Sequence, residues 1–375
     1  MKTISTILVF ILCIIPLSNL SCYAEVSAQS AIVIEQSSGR ILYDKNADKK
    51  LPMASTTKIM TALVALENGN MDDIITISFT AAGTEGSSMY LETGEKMTLL
   101  ELLYGLMLSS GNDAAVAIAE HFGGIDKFVV LMNNKAKELG ATKTNFTNPN
   151  GLPDNSHYST AGDMAKITAF ALENKTFLEI VSSKSYRIAG EGKAYPRTLS
   201  NHNKLLNMYQ GCIGVKTGFT KAAGRCLVSA AERDGMTLIC VTLNAPDDWN
   251  DHINLYDQLF PEYSLTHILH TGVPLDTIQI ENSTVDSLPV TVNENFSYPL
   301  TKDEEISTSI TLSPPLNAPI KNPTQCGEVT LSLKGKEIKK IPLVTIGNAP
   351  QKTIFSDEDS FLNKILNFFA RLLPL

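Results

Sequence analysis

Apolar positions recur with a helical period through one long stretch of the 375-residue chain. Amphipathic helices repeat their apolar residues at spacings of three and four, and this spacing predicts helices at 55–67, 99–122, 125–139 and 161–172. Runs typical of strands flank this stretch, at 31–35, 38–43, 213–216, 225–231 and 237–243. The order strands, helices, strands predicts an α+β domain at 25–264 in which early and late strands share one sheet.

From residue 277 onward, apolar residues recur with a period of two instead. Apolar and polar residues alternate at 277–281, 288–292, 306–312 and 329–333, and a turn at Lys334-Gly335-Lys336 leads into 338–346. Short alternating strands separated by Pro, Asn and Gly are typical of small all-β domains. The pattern therefore predicts a small β-sandwich-like domain at 265–352.

The first 24 residues have the pattern of a signal peptide. Lys2 supplies a positive start, residues 4–17 are almost wholly apolar, and Cys22-Tyr23-Ala24 resembles a cleavage site. We expect cleavage after Ala24 and export of the protein. A buried helix or a retained anchor is the alternative.

The last segment, 353–375, predicts an amphipathic helix. Its polar residues fall on one helical face and the rest is apolar: they are Ser360, Asn363, Lys364, Asn367 and Arg371. The apolar run is shorter than the about 20 residues that cross a bilayer. We expect it to lie in the membrane interface, although docking on the protein's own surface is an alternative.

Composition narrows the choice of partners. Hydrophobic residues make up 43% and charged residues 19% of the chain, as in a folded globular protein. The formal net charge of −8 argues against a nucleic-acid partner, since phosphate binding relies on Lys and Arg. The cysteines beyond residue 24 (Cys212, Cys226, Cys240 and Cys326) match no zinc spacing, and we expect neither a metal nor a cofactor.

Ser55-Thr56-Thr57-Lys58 is the first segment with candidate chemistry. Residues three apart share a helical face, so the Ser55 hydroxyl lies beside the Lys58 amine. A serine becomes a strong nucleophile only when a base takes its proton. Lys58 can be that base if burial or a nearby cation lowers its pKa. Taken alone, the motif also fits a helix cap followed by a solvated lysine.

Ser110-Gly111-Asn112 interrupts two strongly apolar helical runs. Polar groups wedged between core helices must be hydrogen-bonded. A simple turn between helices explains the segment, and so does a site in which Ser110 relays protons and the Asn112 amide holds a substrate carbonyl.

Lys216-Thr217-Gly218 ends a strand-like run and is followed by Phe219. An exposed strand edge can pair with an extended peptide, and Gly218 leaves room for that approach. Lys216 and Thr217 offer a positive charge and a hydroxyl to a carboxylate. An ordinary strand end is the alternative.

The order of these three motifs is typical of penicillin-binding proteins and class A β-lactamases. The chain resembles the low-molecular-mass penicillin-binding proteins that act as D-alanyl-D-alanine carboxypeptidases. The likeness extends to the segments 52–61, 86–91, 110–115, 148–152 and 214–218. It implies a β-lactamase-like catalytic domain, an antiparallel sheet with a helical cluster, then a β domain and a C-terminal amphipathic anchor.

The resemblance also implies a mechanism. Lys58 would activate Ser55, with Ser110 as the third catalytic residue, and the Ser55 and Phe219 N–H groups would form an oxyanion hole. Asn112, Lys216, Thr217, Gly218 and Phe219 would bind substrate. The expected partners are peptidoglycan stem peptides ending in D-Ala-D-Ala, β-lactams as inhibitors, and the outer face of the cytoplasmic membrane.

Three alternatives differ in function. A class A β-lactamase would have a Glu with an Asn four residues on, and no Glu between Asn112 and Lys216 has one. A transpeptidase or endopeptidase would use the same residues on another acceptor or peptide. A catalytically inactive wall-binding scaffold would not need to retain both Ser55 and Lys58.

Overall fold

The computed structural model describes residues 25–189, 196–352 and 363–369. The predicted signal peptide, residues 1–24, lies outside the described residues, as does most of the predicted tail. The proposed domain boundaries stay predictions. The four described cysteines are free thiols.

Helices cluster in the first two thirds of the chain, and strands occur throughout it. The helices are α1 (Lys58–Asn68), α2 (Phe79–Ala82), α3 (Leu99–Leu108), α4 (Asn112–His121), α5 (Ile125–Glu138), α6 (Ala161–Ala171), α7 (Lys175–Ser182), α8 (Leu205–Met208) and α9 (Asp248–Glu262). The strands up to residue 243 are β1 (Ser30–Glu35), β2 (Ile41–Lys45), β3 (Ile74–Thr76), β4 (Lys96–Thr98), β5 (Ser185–Ile188), β6 (Arg197–Ser200), β7 (Cys212–Thr220), β8 (Gly224–Arg233) and β9 (Met236–Leu243). The later strands are β10 (Ser264–Leu269), β11 (Asp276–Glu281), β12 (Ser287–Val292), β13 (Phe296–Leu300), β14 (Ile306–Leu312), β15 (Leu316–Asn317), β16 (Gln325–Leu333) and β17 (Lys336–Thr345).

A five-stranded antiparallel sheet, in the order β2-β1-β9-β8-β7, organises the first domain. β1 pairs with β9, with Val33 opposite Cys240, so early and late strands share one sheet as predicted. The helical cluster, including α1, α3 and α4, packs on one face, and α9 packs on the other. β7 is left at the edge of the sheet, where it faces the start of α1.

Among the differences from the sequence prediction, two concern long helical segments. The helical run 99–122 is divided into α3 and α4, because Ser110 adopts a positive φ of 60° that no helix continues through. The helix α9 was not predicted. Its apolar residues, Trp249, Ile253, Tyr256 and Phe260, follow a helical spacing, but Asp and Asn residues among them dilute the signal.

The later strands form an all-β domain, as predicted. Its main sheet has the order β14-β16-β17-β12-β11-β15, and β10 pairs with β13 beside it. Lys334 and Gly335, both with positive φ, make the predicted turn between β16 and β17. The sequence pattern missed β13 and β10.

An ion pair joins the turn after β1 to the β domain. Arg40 Nη2 lies 2.8 Å from Glu304 Oε1, and the same guanidinium donates to the Pro299 carbonyl. The rings of Tyr263 and Tyr298 lie 5.1 and 5.2 Å from the Arg40 guanidinium carbon. The bond from Arg40 lowers the pKa of Glu304 to about 2, so this contact stays charged across the ordinary pH range.

Candidate active site

Ser55 lies where the chain enters the first helix. It is part of a single 3-10 turn, Ala54–Thr57, that leads directly into α1. Lys58 is the first residue of α1, and its Nζ lies 3.0 Å from Ser55 Oγ. The three-residue spacing thus puts hydroxyl and amine in hydrogen-bond contact, as the motif predicts.

The Lys58 amine is fully buried and has two further partners. It donates to Asn112 Oδ1 at 2.7 Å and to the Asn150 carbonyl at 2.6 Å. A neutral amine has two N–H donors and one lone pair. The two acceptors use both donors, which leaves the lone pair directed to Ser55.

Burial and charge both favour this neutral form. The pKa of Lys58 is lowered well below its usual value, first by burial and then by the positive charge of Lys216. The negative charge of Asp113 acts in the opposite direction and is the smaller effect. Lys58 therefore has the lowered pKa that the sequence analysis requires of a base at this position.

Asn112, the first residue of α4, is engaged at both ends of its amide. Oδ1 accepts from Lys58, and Nδ2 donates to the Glu85 carbonyl at 2.7 Å. An amide nitrogen has two donor hydrogens, and binding of a substrate carbonyl by the second one stays a prediction. Ser110 lines the cleft beside Ser55, and the proton-relay role expected of it stays a prediction.

β7 brings the third motif to Ser55. A Cβ placed on Gly218 would lie 3.0 Å from the Ser55 nitrogen, so any larger residue would crowd this approach. Thr217, Gly218 and Phe219 line the cleft, and 65% of the surface of Phe219 is exposed. Lys216 lies behind them, buried, with Nζ 2.9 Å from the Thr217 carbonyl.

All eight predicted site residues thus come together around one cleft, and their individual roles stay predictions. Sequence reasoning missed the Asn150 contact, because a backbone carbonyl leaves no residue-type signal. It also missed Arg225, Asp248 and Trp249, which line the cleft beyond Phe219. His202 lines the cleft too.

No metal site accompanies these residues in the part of the chain that the structure describes. Groups of three or more His, Cys, Asp or Glu side chains that could hold an ion do not occur among the described residues.

Lys58 and Lys216 are both buried, and the charge of Lys216 lowers the pKa of Lys58. This interaction predicts how a change at Lys216 alters the pH dependence of acylation. Burial lowers the pKa of Lys216 to about 7, so its charge acts on Lys58 mainly below that pH. Removing it in Lys216→Gln should raise the pKa of Lys58, because less charge opposes its protonation. The rising limb of the acylation rate with pH should then move to higher pH.

Stopped assays at a series of pH values give the rate of acylation by benzylpenicillin and so measure this shift. The exposed Lys221 of the β7–β8 turn provides the control, and Lys221→Gln should leave the limb in place. A limb that stays fixed in Lys216→Gln, or moves to lower pH, would show that Lys216 does not act on the base.

Comparison with known proteins agrees with this geometry. Residues 18–247 match the family model described as D-alanyl-D-alanine carboxypeptidase, and residues 263–350 match that of the penicillin-binding protein 5 C-terminal domain. The D-alanyl-D-alanine carboxypeptidase DacF of Bacillus subtilis is 34% identical over 84% of this chain and 84% of its own length.

Solved structures give the same result. Penicillin-binding protein 5 of Haemophilus influenzae superposes with a TM-score of 0.75 at 29% identity, covering 88% of this chain and 99% of the other. The Streptomyces K15 DD-transpeptidase superposes with a TM-score of 0.62 at 36% identity, covering 64% and 99%. The chain belongs to the D-alanyl-D-alanine carboxypeptidase family of serine peptidases, whose members act on peptidoglycan.

Proposed function

We propose that this chain removes the terminal D-alanine from peptidoglycan stem peptides through an acyl-enzyme on Ser55. The observation that carries the proposal is the set of three contacts of the Lys58 amine. Two acceptors fix its hydrogens, and its lone pair meets the Ser55 hydroxyl. This arrangement is what a general base requires before the substrate arrives.

In the first half-reaction, Lys58 takes the Ser55 proton as Oγ attacks the carbonyl carbon between the two D-alanines. The negative charge on the carbonyl oxygen is stabilised by the N–H groups of Ser55 and Phe219. The C–N bond then breaks, and the leaving nitrogen takes the proton from Lys58, directly or through Ser110. D-alanine departs and leaves an ester on Ser55.

In the second half-reaction, Lys58 takes a proton from water, and the resulting hydroxide attacks the ester. The same oxyanion donors act again, and Ser55 recovers its proton when the ester bond breaks. The shortened stem peptide is released. β-Lactams would acylate the same hydroxyl, since they present a reactive carbonyl to it.

Transpeptidation is the second candidate function, and similarity to a known transpeptidase supports it. The chain is 36% identical to the Streptomyces K15 DD-transpeptidase over 64% of its length. The two reactions share the acyl-enzyme and differ only in whether water or an amine attacks it.

An assay with a pentapeptide ending in D-Ala-D-Ala tests the proposal. The wild-type protein should release free D-alanine, and Ser55→Ala should release none because the nucleophile is gone. Labelling by a fluorescent penicillin should be lost in parallel. Thr56→Ala would alter a neighbouring hydroxyl that instead bonds the Met53 carbonyl, and should still label.

The products distinguish the candidates. A cross-linked peptide formed in place of free D-alanine, with an added amine acceptor, would identify a transpeptidase. Unchanged labelling of Ser55→Ala would contradict the assignment of the nucleophile.

We also propose that export and a surface anchor place the enzyme at the outer face of the cytoplasmic membrane. Residues 363–369 are helical, and Leu366, Phe368 and Phe369 are each more than half exposed. None of the helices within the described ranges is long and apolar enough to cross a bilayer. An exposed aromatic pair on a short helix suits the interface instead.

Sedimentation with vesicles of phosphatidylethanolamine and phosphatidylglycerol tests the anchor. The protein from Glu25 to its C-terminus should sediment with them, and the double change Leu366→Asp, Phe369→Asp should abolish this because charges oppose insertion. Val273→Asp changes an exposed apolar residue of the β domain and should have no effect. Equal sedimentation of all three proteins would contradict the proposal.

A further inference from the structure

Among the described residues of the catalytic domain, two histidines are buried, and the mechanism above uses neither. His252 belongs to α9, which packs on the face of the sheet away from the cleft. His157 instead contacts Thr57, with its Nε2 2.7 Å from Thr57 Oγ1. Thr57 lies between Ser55 and Lys58 and ends the 3-10 turn that leads into α1. His157 is therefore the buried histidine that touches the turn carrying the first motif.

The partners of the His157 ring determine where its hydrogen lies. The backbone N–H of Thr147 donates to Nδ1 at 3.0 Å, so Nδ1 carries no hydrogen. A neutral imidazole then has its hydrogen on Nε2, and this N–H donates to the Thr57 hydroxyl. Burial lowers the pKa of His157 to about 4, although Asp154 opposes this shift and Lys58 adds to it. The ring therefore stays a neutral donor at any pH well above that value.

His157 belongs to the loop that supplies one of the partners of the Lys58 amine. This loop, residues 145–158, is closed at its base by two backbone hydrogen bonds, of 2.9 and 3.1 Å, between its first and last residues. Within it, the Asn150 carbonyl accepts from Lys58 Nζ at 2.6 Å. A backbone carbonyl has no side-chain rotation with which to adjust, so its position depends on where the whole loop lies.

Hydrogen bonds on both sides of the buried lysine join loop 145–158 to the first helix. The Thr61 hydroxyl, about one turn after that lysine, donates to the Pro149 carbonyl at 2.6 Å. The Thr57 hydroxyl, one residue before the lysine, accepts from His157. Because these bonds flank the lysine, they set the distance between its amine and the loop.

We propose that His157 is a positioning residue for the acylation step. Its hydrogen bond to Thr57 places loop 145–158 so that the Asn150 carbonyl accepts from the Lys58 amine. With that hydrogen engaged, the lone pair of the amine is directed to the serine hydroxyl. The inference rests on the proposed acyl-enzyme reaction, in which the amine takes the serine proton.

The size of the effect follows from the sensitivity of proton transfer to geometry. A general base acts only within hydrogen-bond reach of the proton that it takes. Losing the His157 donor should therefore slow acylation by about 10- to 100-fold, since a displacement of about 1 Å can cost about 100-fold in rate. Noncovalent binding of a β-lactam does not need the base and should stay the same.

Two substitutions separate the two hydrogen bonds of the His157 ring. In His157→Gln, the amide nitrogen falls near the place of Nε2 and can still donate to Thr57. In His157→Asn, the shorter amide falls near the place of Nδ1, where it can accept from Thr147 but does not reach Thr57. We expect the full loss of rate in His157→Asn and partial recovery in His157→Gln.

Saturation kinetics with nitrocefin, a chromogenic β-lactam, measure the acylation step. The dependence of the rate on nitrocefin concentration gives the first-order rate constant of acylation and the dissociation constant of the noncovalent complex. His157→Asn should lower the rate constant and leave the dissociation constant unchanged. Thr57→Val removes the acceptor and should act in the same way, whereas Thr57→Ser keeps a hydroxyl and should retain most of the rate.

His252 provides a matched control for the loss of a buried neutral ring. Burial lowers its pKa to about 3, and the ring bonds the Ser229 and Thr242 hydroxyls beneath α9. His252→Asn should lower the melting temperature and leave both nitrocefin constants unchanged. Melting temperatures of all variants show whether each one is folded at the temperature of the assay.

Three outcomes would overturn the positioning role. One is a folded His157→Asn that acylates at the wild-type rate, and another is a His157→Gln that is no faster than His157→Asn. The third is a dissociation constant that rises as much as the rate constant falls, which would mean a change in the shape of the cleft. Wild-type protein that forms no covalent adduct with nitrocefin would contradict the proposed acyl-enzyme itself, and this result differs from all three.

Discussion

The cleft of the catalytic domain depends on one buried amine, that of Lys58, which has no anionic hydrogen-bond partner among the described residues. An ionised lysine in an apolar interior is strongly disfavoured unless a negative group pairs with it. Lys58 meets a hydroxyl, an amide oxygen and a backbone carbonyl, all neutral. The surrounding structure therefore selects the neutral amine, and the neutral amine is the form that can take a proton from Ser55.

The neighbouring elements hold the partners of that amine in place. Gly151 allows its loop to approach Ser55, because a Cβ there would lie 2.0 Å from the Ala54 carbonyl. The buried Asp113 carboxylate accepts from the Met89 and Leu91 N–H groups and from the Ser88 hydroxyl. This ties the wall of the cleft to the start of α4, next to Asn112, so that the Lys58 amine and the cleft wall are positioned together.

Much of this arrangement could be predicted from the sequence, because it rests on residue types at fixed spacing. Ser55 and Lys58 need only one turn of helix to meet, and alternation along the later strands predicts the β domain. The Asn150 contact could not be predicted, since any residue has a carbonyl. Arg225 and Asp248 belong to different elements, and only the packing of α9 on the sheet brings them to the cleft.

Direct titration of Lys58 tests most closely whether its buried amine is neutral. In protein labelled with 13C at the lysine side chains, the Cε resonance of Lys58 can be assigned by its loss in Lys58→Gln. We expect this resonance to titrate well below the ordinary lysine value of 10.5. Titration near that ordinary value would show a charged amine at neutral pH and contradict the proposed role of Lys58 as the base.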